Sequence, residues 1–215
     1  GYLEEALILG DRKRREKALR SLASRTLLTA LCPDYPVGWS KLGCRAPVVV
    51  QATGNIPNTS WLGVVGPRQA PLGALDQASC VARVAGAMNC GVLSGGAPGC
   101  DQAAIAGAMA DATPTLELLP FGLEWPGHAS LGFRLPGEHC SALSAARPTE
   151  GFSRALAMER NTLLFAACDA VMVIRARYRA GGAWHGAVEA LMPAYREAGV
   201  VLPPTLPASA IGRGE

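Results

Sequence analysis

Most of the residues in this sequence that could do chemistry sit in three glycine-bearing loops, and the chemistry they suit is anion binding. In Val65-Gly-Pro-Arg68, Gly66 permits a sharp exit from an apolar run, and Arg68 offers an anion a planar fork of donors. In the second loop Ser94, Gly95, Gly96 and Gly99 link an apolar run to an alanine-rich stretch that opens with Cys100-Asp101. Glycine lets backbone N–H groups approach an anion, and a helix amino terminus adds partial positive charge. A plain tight turn, with Asp101 as a first-turn helix acid, is the other reading of the same residues. The third loop, Arg175 to His185, sets Arg175, Arg177 and Arg179 around Tyr178, followed by a glycine pair and Trp184. Arginine interleaved with aromatics suits a single-stranded nucleic acid, whose bases stack on rings while guanidinium groups meet phosphates. A basic surface loop with Trp184 folded under it is the alternative. Upstream, Arg160 and Asn161 in Met158-Glu-Arg-Asn161 open an apolar helical stretch and are placed either to face the same edge or to form a helix-surface salt bridge.

Sets for covalent catalysis are poorly supplied. There is no G-x-S-x-G elbow, none of His128, His139 and His185 stands in a triad context, and no cysteine follows a nucleophile signature, so no catalytic residue is assigned. Without a G-x-x-x-x-G-K-[ST] loop, ATP hydrolysis is disfavoured. The seven cysteines (Cys32, Cys44, Cys80, Cys90, Cys100, Cys140, Cys168) include no C-x-x-C pair and have no histidine at ligand spacing. Buried reduced thiols are expected, with no zinc site, no other metal and no cofactor.

These loops need elements to hold them. Runs at Val48–Gln51, Leu62–Val65, Gly91–Ser94, Thr115–Leu119, Ala170–Ile174 and Val200–Leu202 each fit a buried strand. Leu75–Asn89, Cys100–Ala112, Ser153–Cys168 and Trp184–Ala198 have helical spacing and alanine content. That alternation predicts an α/β protein with an extended Rossmann-like fold, a mostly parallel sheet covered by helices on both faces, whose ligand loops share the carboxyl edge. The first thirty residues read as helix, with a charged run from Asp11 to Lys17, and Cys32-Pro-Asp-Tyr-Pro-Val-Gly38 breaks it. The expected organisation is a helical segment over 1–32, the Rossmann-like domain over 33–203 and a tail over 204–215.

At 215 residues the chain can bury a full core, and with 49% hydrophobic and 17% charged residues its composition is globular. A net charge of +3 does not by itself indicate nucleic acid, but all the Lys and Arg except Lys13, Lys17 and Lys41 are arginine, which suits phosphate or carboxylate. No apolar run approaches the ~20 residues of a membrane span and no signal-peptide pattern opens the chain, so a soluble, cytoplasmic protein is expected.

Taken in order, these loops resemble the DNA-processing protein A family, also called DprA or Smf, whose members bind single-stranded DNA on an extended Rossmann fold. The family's V-G-S-R is similar to Val65-Gly-Pro-Arg68, and its S-G-x-A-x-G-[IC]-D to Ser94 through Asp101. A stretch of the form G-L-x-x-x-Y-P-x-x-H-x-x-L resembles Gly122 to Leu131, and R-N followed by an apolar helix and a V-L-V-V-E-A strand resembles Arg160-Asn161 through Ala176. The region from Tyr35 to Asn55 has the family's look too, and the resemblance covers about residues 33 to 202. Pro67 replaces the family's serine, Ala157 its usual aromatic, and Ala180 to Gly186 matches S-G-S-L-x-T-A poorly. After Pro203-Pro-Thr-Leu-Pro no winged-helix domain, which many members carry, is expected.

The resemblance implies single-stranded DNA binding without covalent chemistry, in DNA uptake or recombination, with loading of a RecA-type recombinase and a homodimer. It puts Arg68, Gly95, Gly96, Arg160 and Asn161 on the phosphate edge, together with Gly66, Ser94, Gly99 and Asp101 of the same loops; Arg175, Arg177, Arg179 and Trp184 are added from composition. A rival resemblance is to the lysine-decarboxylase-like phosphoribohydrolases called LOG, which cleave nucleoside monophosphates. Their M-x-x-R-K is similar to Met158 to Asn161, and their P-G-G-x-G-T-x-x-E is echoed, one residue longer, in Gly181 to Glu189. There an arginine and Glu189 would stabilise a ribosyl cation and activate water. A nucleotide-sensing or purely structural module is the third class on this fold.

Overall fold

The apolar runs build one sheet because each is too short and too apolar to remain exposed, and the alanine-rich stretches between them lay helices on both faces. In the computed structural model, which describes residues 26–133, 140–191 and 199–201, the strands are β1 (Thr26–Thr29), β2 (Val49–Thr53), β3 (Trp61–Val65), β4 (Gly91–Ser94), β5 (Thr115–Leu118), β6 (Ser141–Ser144), β7 (Ala170–Val173) and β8 (Gly199–Val201). The helices are α1 (Leu72–Ala87), α2 (Cys100–Ala110), α3 (Arg154–Ala167) and α4 (Gly181–Ala190), with 3-10 segments at Val37–Arg45 and Pro126–Leu131. The sheet order is β1-β2-β6-β5-β4-β3-β7-β8. All pairings from β6 to β8 are parallel, while β2 joins β6, and β1 joins β2, antiparallel. This is the expected α/β Rossmann-like architecture.

Alternation along the strands divides the core. Val64, Val92 and Ile174 pack under α1 and α2 with Ala78, Ala82 and Ala104. Val65, Leu93, Leu116 and Val171 face the other way, toward α3, α4 and Trp39 of the 3-10 segment. Trp39 is fully buried and its indole N–H donates to the Leu163 carbonyl at 2.7 Å, which fixes that segment against α3. A third, smaller cluster of Ala97, Leu119, Phe121, Leu123, Phe133 and Ala142 lies beyond the end of β5.

Two strands depart from the sequence reading. Residues 26–29, read as the end of a helix, form β1, while the rest of the expected amino-terminal helix lies outside the described residues. Strand β6 was not expected because Ser-Ala-Leu-Ser lacks an apolar run; its hydroxyls are satisfied internally, Ser144 donating to the Phe121 carbonyl at 2.6 Å and Ser141 to that of Asn55. The expected helix over Trp184–Ala198 starts earlier, at Gly181, and its residues 192–198 lie outside the described set, as do Leu202 and the tail over 204–215. Of the thiols expected to be buried, Cys100, Cys140 and Cys168 are, whereas Cys44 and Cys80 are exposed. Among the described residues no helix is long and apolar enough to cross a membrane.

Candidate nucleic-acid interface

Strand order fixes where a ligand can sit. From β3 the chain runs outward through β4, β5 and β6, then returns to place β7 on the other side of β3. The loops that follow β3, β4 and β7 therefore lie side by side at the point where the winding reverses, the crevice in which open α/β sheets bind ligands. These are the three glycine-bearing loops.

The first two interlock. Gly66 has no room for a Cβ, which would meet the Cys100 side chain at 2.6 Å. Gly99, the residue before α2, has φ +92°, and a Cβ there would strike the carbonyl oxygens of Pro67 and Arg68. The Cys100 amide closes the contact by donating to the Pro67 carbonyl at 3.3 Å. Burial pushes the Cys100 thiol up to about 11, so this cysteine is a packing group and not a thiolate nucleophile.

Beneath the second loop lies a buried ionic cluster. Arg160 comes from α3 on one face and Asp101 from α2 on the other, and they meet across the strand ends with Nη1 and Oδ2 3.8 Å apart. Arg160 Nη1 also donates to the Leu118 carbonyl at 3.3 Å and fills the space that a side chain at Gly95 would need. Asp101 accepts from the Ala97 amide at 3.4 Å and from the Gly66 amide, so one carboxyl ties the two loops together. Glu117, from the middle of β5, completes the cluster below Gly96. Among the described residues Glu117 Oε2 and Arg160 Nε have no hydrogen-bond partner.

Two buried carboxyls share one guanidinium. Burial raises Asp101 to about 6 against the pull of Arg160, the two amides and Arg68. Burial and the neighbouring Asp101 raise Glu117 to about 7, with Arg160 opposing. Burial and the repulsion of Arg68 draw Arg160 below the ordinary guanidinium range, against the two carboxyls. One arginine cannot neutralise two desolvated carboxylates, so the cluster holds a proton around neutrality.

Arg160 is thus a buried strut for the glycine loop, 7% exposed, and not the edge-facing or surface-paired group the sequence suggested. Asp101 does stand in the first turn of α2, but it is buried beneath the loop. Ser94 is fully buried and donates to the Val64 carbonyl at 2.6 Å, holding β4 to β3. Gly95 and Gly96 are buried, with Gly66 and Gly99 half-buried at the rim. Asn161 is half-buried, and its amide lies against Gly182 at the start of α4.

Arg68, by contrast, is exposed, and among the described residues no acid pairs with it. Its guanidinium carbon lies 5.6 Å from the ring centroid of Phe133 and 5.4 Å from that of Phe152. In the third loop Arg175, Arg177, Tyr178 and Arg179 are all exposed. Arg179 lies over the Tyr178 ring at 5.2 Å, and Tyr178 meets half-buried Trp184 edge-on at 4.9 Å. The loop is anchored beside the first, since the Ile174 amide donates to the Val65 carbonyl at 2.9 Å.

Glu189 is placed differently. It accepts from Arg45 Nη1 at 2.8 Å and from the Thr162 hydroxyl at 2.7 Å, joining α4 to α3 and the 3-10 segment. Burial alone would raise it, but the two hydrogen bonds and the Arg45 charge outweigh that and hold it below the ordinary carboxylate value. Both of its oxygens are committed, so it is a structural tie and not merely a solvated helix acid.

Sequence reasoning missed Glu117, Phe133 and Phe152. Glu117 did carry a signal, an acid in the otherwise apolar run Thr115-Leu-Glu-Leu118. Nothing local marked the two phenylalanines.

Compared with known proteins, residues 26–204 match the family described as DNA recombination-mediator protein A. The fold is similar to that of DNA processing protein A from Streptococcus pneumoniae, with a TM-score of 0.72 at 21% identity over 98% of this chain and 78% of that one. DNA processing protein A from Helicobacter pylori, described for its single-stranded DNA binding mode, gives 0.67 at 19% identity over 85% and 82%. The molybdenum cofactor binding protein from Rippkaea orientalis gives 0.50 at 19% identity over 67% and 76%. No curated protein matches.

Proposed function

Since the chain belongs to the DNA recombination-mediator protein A family, and with it to DNA processing in recombination, we propose that it binds single-stranded DNA along the carboxyl edge of its sheet. The observation that carries this reading is Arg68. It is an exposed guanidinium at the winding reversal, beside a glycine loop and a helix amino terminus, with no ion-pair partner among the described residues. Arg175, Arg177 and Arg179 extend the positive edge, and Tyr178 and Trp184 offer ring surface to unstacked bases. Arg160, Asp101, Ser94 and the glycines Gly66, Gly95, Gly96 and Gly99 shape this edge from below, and Asn161 sets the start of α4.

The proposed action is binding without covalent chemistry, with a RecA-type recombinase as partner and a homodimer as assembly. The committed carboxylate of Glu189 supports a binding role over a LOG-like hydrolase.

Titrations of labelled single-stranded DNA, duplex DNA and AMP at two salt concentrations test the proposal. Single strands are expected to bind best, with a log-log salt slope of roughly −0.7 for each phosphate neutralised. Arg68→Ala removes charge-assisted hydrogen bonds of about 1.5–3 kcal/mol, lowering affinity about ten- to a hundredfold with an unchanged thermal midpoint. A flat salt response, equal binding of duplex, or an Arg68→Ala variant that binds like the parent refutes the proposal.

A further inference from the structure

Aromatic residues are scarce in this chain at 6%, yet three of its four phenylalanines, Phe121, Phe133 and Phe152, gather at one place, below Arg68. We propose that Phe133 and Phe152 are positioning residues for Arg68, holding its guanidinium against both rings in the orientation that receives a DNA phosphate. The inference rests on the reading of Arg68 as a phosphate contact and adds the groups that aim it.

Both rings are themselves fixed. Phe133 is 2% exposed and stands edge-on against fully buried Phe121, with centroids 5.0 Å apart at 84°. The turn before it is tied to the glycine loop, because Gln102 Nε2 donates to the Gly132 carbonyl at 2.7 Å and to that of Gly96 at 3.3 Å. Phe152 directly precedes Ser153, whose hydroxyl caps α3 by accepting from the Leu156 amide at 3.1 Å. The two rings lie 6.3 Å apart at 40°, and the guanidinium carbon is within 5.6 Å of both centroids.

The chemistry of such a clamp differs from that of the usual acidic one. A carboxylate that orients an arginine also neutralises it and takes up its donors. A phenyl face attracts the cation through its quadrupole but accepts no conventional hydrogen bond. Arg68 is therefore restrained while its charge and its N–H donors stay available to an incoming phosphate. Restraint of a long side chain before binding strengthens binding by lowering the entropy lost on contact.

The test begins with the free protein. Ring currents from two phenyl faces should move the Arg68 side-chain proton resonances upfield of their values in an unstructured peptide. Phe152→Leu should return them part of the way, while Phe152→Tyr, which keeps the ring, should not. In titrations with single-stranded DNA, Phe152→Leu should weaken binding about threefold to tenfold. Its salt slope should match that of the parent, because no charge has been lost, and Phe152→Tyr should restore affinity. When combined with Arg68→Ala, Phe152→Leu should cost nothing further. Unshifted Arg68 resonances overturn the clamp, as does a Phe152→Leu effect that persists without Arg68. Failure of the parent protein to bind single strands would instead refute the DNA-binding reading, and the resonances would still decide the clamp.

Discussion

Glu117→Gln tests the shared proton beneath the glycine loop, because glutamine copies the shape and hydrogen bonding of the protonated carboxyl and cannot ionise. The Glu117 carboxyl is raised from 4.5 to about 7 by burial first and by Asp101 second. Between those values the fold binds a proton that the unfolded chain has released, so this residue's contribution to stability falls as pH rises through that window and is level above it. At about 1.4 kcal/mol for each tenfold change in acidity, ionising Glu117 costs the fold about 3 kcal/mol by pH 8. The cost is an upper figure because Asp101 and Glu117 share Arg160 and ionise as a pair. Urea unfolding followed by tryptophan fluorescence at pH 5 and pH 8 measures it. The difference between variant and parent should be under about 1 kcal/mol at pH 5, and at pH 8 should favour the variant by about 2–3 kcal/mol, or several degrees in thermal midpoint. Taking the difference removes the opposing pH trend of Glu189, whose acidity is shifted the other way. A variant that is less stable than the parent at pH 8 would show that Glu117 is ionised and held by Arg160, and would refute the reasoning.

Arg160→Ala should act through stability before it acts on binding. It leaves the Asp101 and Glu117 carboxyls buried without their cation, so unfolding at pH 8 should show a loss of roughly 3–5 kcal/mol, shrinking at pH 5 as both take up protons; an unchanged midpoint would make Arg160 a dispensable surface group. Glu189→Gln weakens the link from α4 to Arg45 and Thr162, a half-exposed pair for which about 1 kcal/mol or less is expected. The unmodified protein should release no free base from AMP, and turnover that this variant abolishes would establish the hydrolase reading in place of DNA binding.

The strand and helix alternation, the two glycine loops and the family resemblance were legible in the sequence because each is local. A buried parallel strand must be an apolar run, and a chain that must turn under a helix amino terminus needs glycine within a few residues. Where a strand carries no such mark, as in Ser141–Ser144, only pairing with β2 and β5 reveals it. The charged residues were misjudged for a related reason. Sequence shows that Arg160 is an arginine on a helix, but its burial depends on Asp101, Leu118 and Gly95, all more than forty positions away in the chain. Arg68 and Arg160 are the same residue type in matched motifs, and the fold gives one to solvent and the other to the core. Glu189 could be read as a helix acid or a catalytic group until Arg45, 144 positions earlier, was placed beside it. Desolvation and pairing are properties of the surroundings of a charge, and those surroundings are assembled only when distant segments meet across the sheet edge.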